Sequence, residues 1–332
     1  MLNELRSKKL SQILNQSPAS EFGFGNTTNG SGERTLNKDG TANIKRIGEP
    51  HFNVLNIYHS LITMSWLNFS ILVFGFYFFV NLLFSTLYYI LCPDAIAGMI
   101  YTNEAEKFLE IFFFSSQSLT TVGYGRLNPT GIFASSIAGI ESMMGLLGFA
   151  LATGLLYGRF SRPTAKLLYS ENIIIAPYSH PTLSVDSPTA LMFRVANLRR
   201  NQLIEVEALV LFSYNQNVNG VIQRKFANLK LEVAKISFLA LSWTIVHPIN
   251  EESPLRNLVE NDLEELDAEF MISIKAIDDT YAQQIFDRNS YFWKEMKWNA
   301  KFLPMVTKSE TGKTIIDLKK ISEVENIEIE HV

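Results

Sequence analysis

Five consecutive residues near the middle of the chain combine glycine with a hydroxyl-bearing and an aromatic side chain: Thr121, Val122, Gly123, Tyr124 and Gly125. Glycines permit backbone conformations that other residues avoid, so successive carbonyl oxygens of this run can point toward one axis. Together with the Thr121 hydroxyl, the carbonyls of residues 121–124 would offer closely spaced oxygen ligands to a dehydrated cation. One chain supplies only one side of each ring of ligands, so this chemistry requires four copies around an axis.

This pattern is typical of potassium filters, in which carbonyl oxygens replace the hydration shell of the ion. The same letters in isolation would also suit an ordinary hairpin turn. The run follows a short helical segment and lies between two long apolar segments. That position favours a filter that binds potassium ions at Thr121, Val122, Gly123 and Tyr124, and we expect no other cofactor.

Two long segments with almost no charge flank the run. Residues 66–93 carry no charged side chain, and Glu141 is the only one in residues 131–158. A helix needs about 20 mostly apolar residues to cross a membrane. We therefore predict two transmembrane helices in a pore unit over residues 66–162. The alternative, two buried core helices of a soluble protein, leaves the many aromatic residues of the first segment unexplained.

The remaining segments of the N-terminal half follow from their patterns. Residues 104–119 are apolar at helical spacing but too short to span, which predicts a re-entrant pore helix. Residues 47–65 are predicted to form a helix that rests in the membrane interface, with an ordinary surface helix as the alternative. Residues 1–46 are predicted to be a mobile segment, because residues 17–40 are rich in glycine, asparagine, serine and threonine.

Beyond Pro163 the pattern changes to short apolar runs separated by turn residues, which predicts an all-β sandwich over residues 163–332. One helix is expected to interrupt it, with Ser253 as its N-cap and Pro254 at its first position. The candidate strands are residues 191–195, 206–214, 226–233, 243–246, 270–277 and 293–302.

The composition argues against other classes of protein. A formal net charge of −4 gives no reason to expect a nucleic-acid partner, and the single cysteine, Cys92, allows neither an internal disulfide nor a thiolate metal cluster. The five histidines are scattered, and the sequence contains no phosphate loop or nucleophile elbow. We expect no enzyme activity.

Charges that flank the spans predict the orientation. Basic residues precede the first span and follow the second, whereas the segment between the spans is mainly acidic. We expect a multi-pass protein of the cell (inner) membrane with both termini in the cytoplasm. The basic residues near the spans could also bind anionic lipid headgroups; they are Lys45, Arg46, Arg159, Arg162 and Lys166.

Short motifs along the chain from about Asn53 onward resemble the prokaryotic inward-rectifier potassium channels. They include Tyr58-His59, Arg159-Phe160-Ser161-Arg162-Pro163, Met192-Phe193-Arg194-Val195-Ala196-Asn197, His247-Pro248-Ile249, Ser253-Pro254-Leu255 and Lys275-Ala276-Ile277-Asp278-Asp279. The resemblance implies a potassium-selective homotetramer with an immunoglobulin-like cytoplasmic β domain and a slide helix. It also implies a gate at the crossing of the inner helices and regulation by anionic phosphoinositides, which favours lipid binding over a purely topological role of the basic residues.

Four residues of the second span are candidates for gating and conduction. As the one ionisable residue within a span, Glu141 is expected on the cavity wall, with a partner on a neighbouring helix as the alternative. Gly145 is either a hinge or a packing contact. Phe149 and Tyr157 lie about 80° apart around a helix and could close the path by excluding water; core packing is the alternative. A bend near Gly145 would help aim these side chains at one axis.

Two positions depart from the pattern of many inward rectifiers. Phe149 stands where many carry an acid on the inner helix, and Gln117 stands where many carry an acid behind the filter. Strong rectification is therefore not expected, and neither is the usual ion pair behind the filter. The rival interpretations are a weakly selective cation channel of the same fold and a non-conducting, membrane-anchored binding domain.

Overall fold

The computed structural model describes residues 33–45, 47, 54–163, 165–178, 189–218 and 220–327. The chain divides into two compact units. A pore unit comprises Gly48–Arg162, and a β unit combines Met1–Ile47 with Pro163–Val332.

The described residues of the pore unit form four helices: α1 (Val54–Thr63), α2 (Trp66–Leu91), α3 (Glu104–Leu119) and α4 (Gly131–Phe160). Helices α2 and α4, of 26 and 30 residues, are long and apolar enough to cross a membrane. The bounds of α2 and α3 follow from side-chain caps. Ser65 accepts a hydrogen bond from the Asn68 amide at the start of α2, and Asn103 accepts one from the Glu106 amide at the start of α3.

A small two-stranded sheet joins the connections on either side of α3. Strand β1 (Ile96–Ala97) pairs with β2 (Asn128–Pro129) in antiparallel fashion. Gly98 follows β1 with a φ of 87°, and a Cβ added there would lie 1.8 Å from the Arg126 carbonyl oxygen. Only glycine therefore allows the segment after α2 to lie against the segment that leaves the filter.

The β unit contains fourteen strands and one short α-helix among its described residues. They are β3 (Leu167–Tyr169), β4 (Ile173–Pro177), β5 (Thr189–Asn197), β6 (Leu203–Val218), β7 (Val221–Leu229), β8 (Lys235–Leu239), β9 (Ser242–Pro248), α5 (Glu260–Glu265), β10 (Glu269–Asp278), β11 (Gln283–Phe292), β12 (Met296–Trp298), β13 (Ala300–Phe302), β14 (Val306–Lys308), β15 (Thr314–Ile316) and β16 (Val324–Asn326).

Two five-stranded sheets of these strands pack face to face. One has the order β11-β10-β6-β7 with β8 also paired to β6; the other has the order β12-β4-β5-β3 with β9 paired to β5. Alternate side chains of both sheets enter one apolar core. Across it the Phe193 ring of β5 contacts the Tyr291 ring of β11, with centroids 5.7 Å apart. The prediction of a β-sandwich is confirmed.

Several predicted elements of the β unit were wrong in position. The helix expected from Ser253 is absent there: residues 254–257 form turns and the helix begins at Glu260. The strand expected over residues 293–302 is interrupted by a 3-10 turn and by Asn299, whose φ is 53°. Seven strands of the β unit were not predicted: β3, β4, β8, β11, β14, β15 and β16. Along β8 and β11, exposed residues alternate irregularly.

The prediction of a mobile N-terminal segment is wrong for the described residues 33–45, which pack on the β unit. Leu36 is buried among Leu211, Phe226 and Met271. The Glu269 carboxylate accepts hydrogen bonds from the backbone amides of Thr35 and Leu36, each at 2.9 Å. Within this range, residues 33–40 belong to the stretch whose polar composition suggested mobility; residues 1–32 lie outside the described residues.

Candidate functional site

The filter run begins where α3 ends. Hydrogen bonds to the last turn of this helix determine the path of the first filter residues. The Thr121 amide donates to the Ser118 carbonyl at 3.1 Å, and the Val122 amide donates to the Gln117 carbonyl at 3.0 Å. The chain therefore leaves the helix through two backbone hydrogen bonds that hold the first filter residues against it.

The sign of φ alternates along the filter. Thr121, Gly123 and Gly125 have φ values of 58°, 53° and 88°, whereas Val122 and Tyr124 do not have positive φ. In a strand of uniformly negative φ, successive carbonyls point to opposite sides. Turning every second residue to the left-handed region lets successive carbonyls share one side. The two glycines adopt this conformation at little cost, while Thr121 adopts it at a cost of about 1 kcal/mol or more.

The left-handed conformation of Thr121 was not foreseen, because only the glycines signal it in the sequence. No group of three or more histidine, cysteine or acidic side chains able to hold a metal is found among the described residues. Oxygen ligands from the filter backbone and from the Thr121 hydroxyl are the chemistry that this region offers to a cation.

Arg126, directly after the filter, joins the filter to the helix behind it. Its guanidinium donates to the Glu110 carboxylate on α3 at 2.7 Å and to the Gly98 carbonyl at 3.1 Å. The Glu110 side chain is 17% exposed, so the pair is partly shielded from water. The missing acid at Gln117 is visible in the sequence, whereas this different ion pair, which lies after the filter, is not.

The prediction that Glu141 lines the cavity is wrong. Its side chain is fully buried within one chain. The carboxylate accepts hydrogen bonds from the Tyr88 hydroxyl of α2, at 2.9 Å, and from the Ser115 hydroxyl of α3. A pore-lining residue would be exposed in a single chain, because the pore forms only between copies. The alternative that the sequence left open, a partner on a neighbouring helix, is what the structure contains.

The lack of a side chain at Gly145 allows α4 to pack closely against the end of α3. A Cβ at this position would lie 1.8 Å from the Leu119 carbonyl oxygen. Three residues earlier on α4, the Ser142 hydroxyl donates to the Ser118 carbonyl at 3.1 Å. Close packing therefore accounts for the glycine. Helix α4 is continuous from Gly131 to Phe160, and a hinge at Gly145 stays a prediction.

Phe149 and Tyr157 are both highly exposed in the single chain, at 74% each. Neither belongs to an apolar core of the pore unit. Core packing within one chain therefore does not explain these aromatic residues, and both are free to meet other copies of the chain or lipid.

Of the five basic residues predicted to bind lipid, Arg159 has a different role. Its guanidinium donates to the carbonyls of Leu61 and Met64 at the end of α1, each at 2.8 Å. It also stacks over the rings of Trp66 and Phe69, 4.6 Å from each centroid. These contacts join α4 to the α1–α2 connection, so the assignment of Arg159 to lipid is corrected. Lys45, Arg162 and Lys166 are exposed, and Arg46 lies outside the described residues.

Two of the motifs in the C-terminal half meet in one buried cluster. His247 Nδ1 donates to the Lys230 carbonyl at 2.8 Å, which leaves Nε2 to accept from the Ser253 hydroxyl, also at 2.8 Å. The Ser253 oxygen in turn accepts from the Leu255 amide at 3.1 Å. Burial lowers the pKa of His247 despite its bond to the Lys230 carbonyl. The cluster holds the turn before α5 against β9.

Comparisons with known proteins agree with this arrangement. Residues 66–162 match the family described as "Ion channel", and residues 182–332 match "Inward rectifier potassium channel C-terminal domain". The chain is 36% identical over 293 residues to inward rectifier potassium channel Kirbac3.1 of Paramagnetospirillum magnetotacticum, covering 88% of this chain and 95% of that protein.

More distant relatives come from vertebrates. The chain is 24% identical to ATP-sensitive inward rectifier potassium channel 12 of Gallus gallus, over 86% of this chain and 71% of that protein. It is 25% identical to ATP-sensitive inward rectifier potassium channel 15 of Homo sapiens, over 88% of this chain and 82% of that protein.

Proposed function

Because the chain belongs to the prokaryotic inward-rectifier potassium channel family and is a potassium channel subunit, we propose that four identical copies surround one conduction path. The alternating φ signs of the filter carry this proposal. They let one chain present carbonyl oxygens on one side only, so that several copies are needed to surround an ion.

Potassium ions bind at the carbonyls of Thr121, Val122, Gly123 and Tyr124 in this arrangement. The ion exchanges its water shell for oxygens from four chains, and Gly125 completes the alternation at the outer end. The Arg126–Glu110 ion pair supports the same assignment, because it fastens the outer end of the filter to the helix behind it.

The gate in this proposal is formed by Phe149 and Tyr157 on α4. Their exposure in the single chain supports it, since four copies of a bulky aromatic side chain can close a path by excluding water. The path opens when the inner helices separate at this level.

The protein resides in a membrane, and we place it in the inner membrane with both termini in the cytoplasm. The basic residues that flank α2 and α4 in the sequence support this orientation. Anionic lipid headgroups bind Arg162 and Lys166, and also Lys45 and Arg46. The exposure of Arg162 and Lys166 supports their part in it.

Ion uptake into liposomes that contain the purified chain tests the proposal. Wild-type protein is expected to take up potassium and rubidium much faster than sodium, and Gly123→Ala should reduce that preference because a Cβ restricts the left-handed conformation. Comparable sodium uptake by the wild type would indicate a weakly selective cation channel. Absence of any uptake by a folded tetramer would indicate a non-conducting anchored domain.

A further inference from the structure

The three long helices of the pore unit meet at one buried polar cluster behind the filter, formed by Tyr88, Ser115 and Glu141. Each of the three side chains comes from a different helix: α2, α3 and α4. All three residues have 0% exposure in the single chain. Neither lipid, nor a water-filled path, nor another copy of the chain therefore reaches the cluster.

The carboxylate of Glu141 is the centre of the cluster. One of its oxygens accepts the Tyr88 hydroxyl at 2.9 Å, and the other accepts the Ser115 hydroxyl. Ser115 also lies 3.3 Å from Asn81 Oδ1. A hydroxyl has one proton to donate, and the shorter contact to Glu141 takes it.

The cluster continues a line of contacts that leads to the filter. Beyond Ser115 on α3, the Ser118 carbonyl accepts the Ser142 hydroxyl, and the Leu119 carbonyl lies against Gly145. The amide of Thr121, the first filter residue, donates a hydrogen bond to the Ser118 carbonyl. A shift of α3 along its contacts with α4 would therefore move the filter as well.

We propose that Glu141 is a positioning residue for the filter. By accepting one hydrogen bond from α2 and one from α3, it fixes the height and rotation of α3 between the two spanning helices. The carbonyls of the four filters meet in register only at that position. An apolar side chain of similar size fills the same space but does not specify the position, since only directed hydrogen bonds do so.

Four variants test the proposal in liposomes that contain purified, size-selected tetramers. Glu141→Leu, Tyr88→Phe and Ser115→Ala each remove bonds of the cluster. Glu141→Gln keeps one oxygen that can accept a hydrogen bond from the Ser115 hydroxyl. Its amide NH2 group can donate a hydrogen bond to the Tyr88 hydroxyl oxygen. The control is Thr86→Val on α2, because the exposed Thr86 hydroxyl bonds, among the described residues, only to the Leu82 carbonyl of its own helix.

The readout is the ratio of potassium to sodium uptake per folded tetramer, alongside the thermal midpoint. We expect the ratio to fall about tenfold in Glu141→Leu and at least about threefold in Tyr88→Phe, and to stay within about twofold of wild type in Glu141→Gln and Thr86→Val. A purely structural role would lower the yield or the midpoint but leave the ratio of the surviving tetramers unchanged.

Wild-type ratios in folded Glu141→Leu or Tyr88→Phe tetramers would overturn the proposal. If Glu141→Leu does not assemble, the ratios of Tyr88→Phe and Ser115→Ala test the proposal instead, since each change removes a single hydroxyl. A loss of selectivity in Glu141→Gln equal to that in Glu141→Leu would also contradict it, because the charge rather than the hydrogen bonds would then matter.

Discussion

Gly145 of the second spanning helix lies against the Leu119 carbonyl so closely that a Cβ would come within 1.8 Å of the oxygen. The neighbouring atom belongs to the backbone of α3 and cannot rotate away. This contact brings the end of α3, and with it the start of the filter, directly onto α4.

Replacement of Gly145 by alanine should therefore destabilise the pore unit by about 3 kcal/mol or more, because backbone must move to admit the methyl group. The thermal midpoint of the purified tetramer measures the effect. Gly154 on the same helix meets no atom within 4 Å in the single chain. Gly154→Ala should be neutral or slightly stabilising, since alanine favours helix by about 1 kcal/mol. Equal tolerance of both changes would mean that the close approach is not required.

The proposed gate predicts that Phe149→Ala and Tyr157→Ala raise basal ion flux, and that the double variant raises it most. A smaller side chain leaves a wider, wetter constriction. Leu151 is a matched control: it is 69% exposed on the same helix but lies about 200° around it from Phe149. Single-channel recordings should show shorter closed intervals in the two aromatic variants and wild-type intervals in Leu151→Ala. Unchanged closed intervals in both aromatic variants would show that the gate lies elsewhere, with the filter as the next candidate.

Anionic-lipid sensitivity is predicted to depend on the exposed Arg162 and Lys166. The double change to glutamine should weaken the lipid dose response by about 1 kcal/mol per charge and leave ion selectivity unaltered. Titration of flux against the anionic lipid fraction measures it. Lys313→Gln, in the exposed turn between β14 and β15, is the control. If the double variant and this control give the same lipid dose response, the two basic residues only help to determine the orientation of the chain in the membrane.

Leu36 should anchor the N-terminal segment to the β unit. Leu36→Ala removes a side chain that is 3% exposed, so we expect the docking of residues 33–45 to weaken by about 2–5 kcal/mol. Hydrogen exchange of the Thr35 and Leu36 amides, which donate to Glu269, reports it directly. Ile44→Ala serves as the control because Ile44 is 63% exposed. If exchange stayed slow in Leu36→Ala, the hydrogen bonds to Glu269 would be sufficient to hold the N-terminal segment on the β unit.

The buried His247 predicts loss of β-unit stability in acid. Burial lowers its pKa below 6.5 in the folded chain, so below that pH the unfolded chain binds the extra proton more readily. The stabilisation is therefore complete above pH 6.5 and falls as the pH drops from 6.5 toward the folded pKa, by at most about 1.4 kcal/mol per pH unit.

Chemical unfolding followed by tryptophan fluorescence at several pH values measures this slope. His247→Gln should flatten it in that window, even if the variant is less stable overall. His59 is exposed, and His59→Gln should keep the wild-type slope. An identical slope in His247→Gln would assign the acid sensitivity to other groups.

The membrane half of the chain was predictable because its signals are local. Charge exclusion marks the two spans, and cap residues such as Ser65 and Asn103 fix where helices begin. The filter was recognisable because its glycines meet a backbone requirement that few sequences satisfy. In each case the residues that decide the structure are neighbours in the sequence.

The predictions were wrong where the role of a residue depends on a partner far away in the sequence. Ser253 resembled a helix cap, but its hydroxyl bonds to His247 and the helix starts later. Glu141 was correctly singled out as unusual, yet its partners Tyr88 and Ser115 are 53 and 26 residues away. Arg126 and Glu110 gave no signal, because opposite charges 16 residues apart are common in any sequence.

The N-terminal segment and the chain after α4 belong to the same β unit, so the pore unit is an insertion within it. Inside the pore unit, Arg159 joins the end of α1 to the end of α4 through the carbonyls of Leu61 and Met64. The first and the last helix of the insertion are therefore fastened to each other. Helices α1 and α4 should consequently move together, so that a displacement of either helix is shared by both.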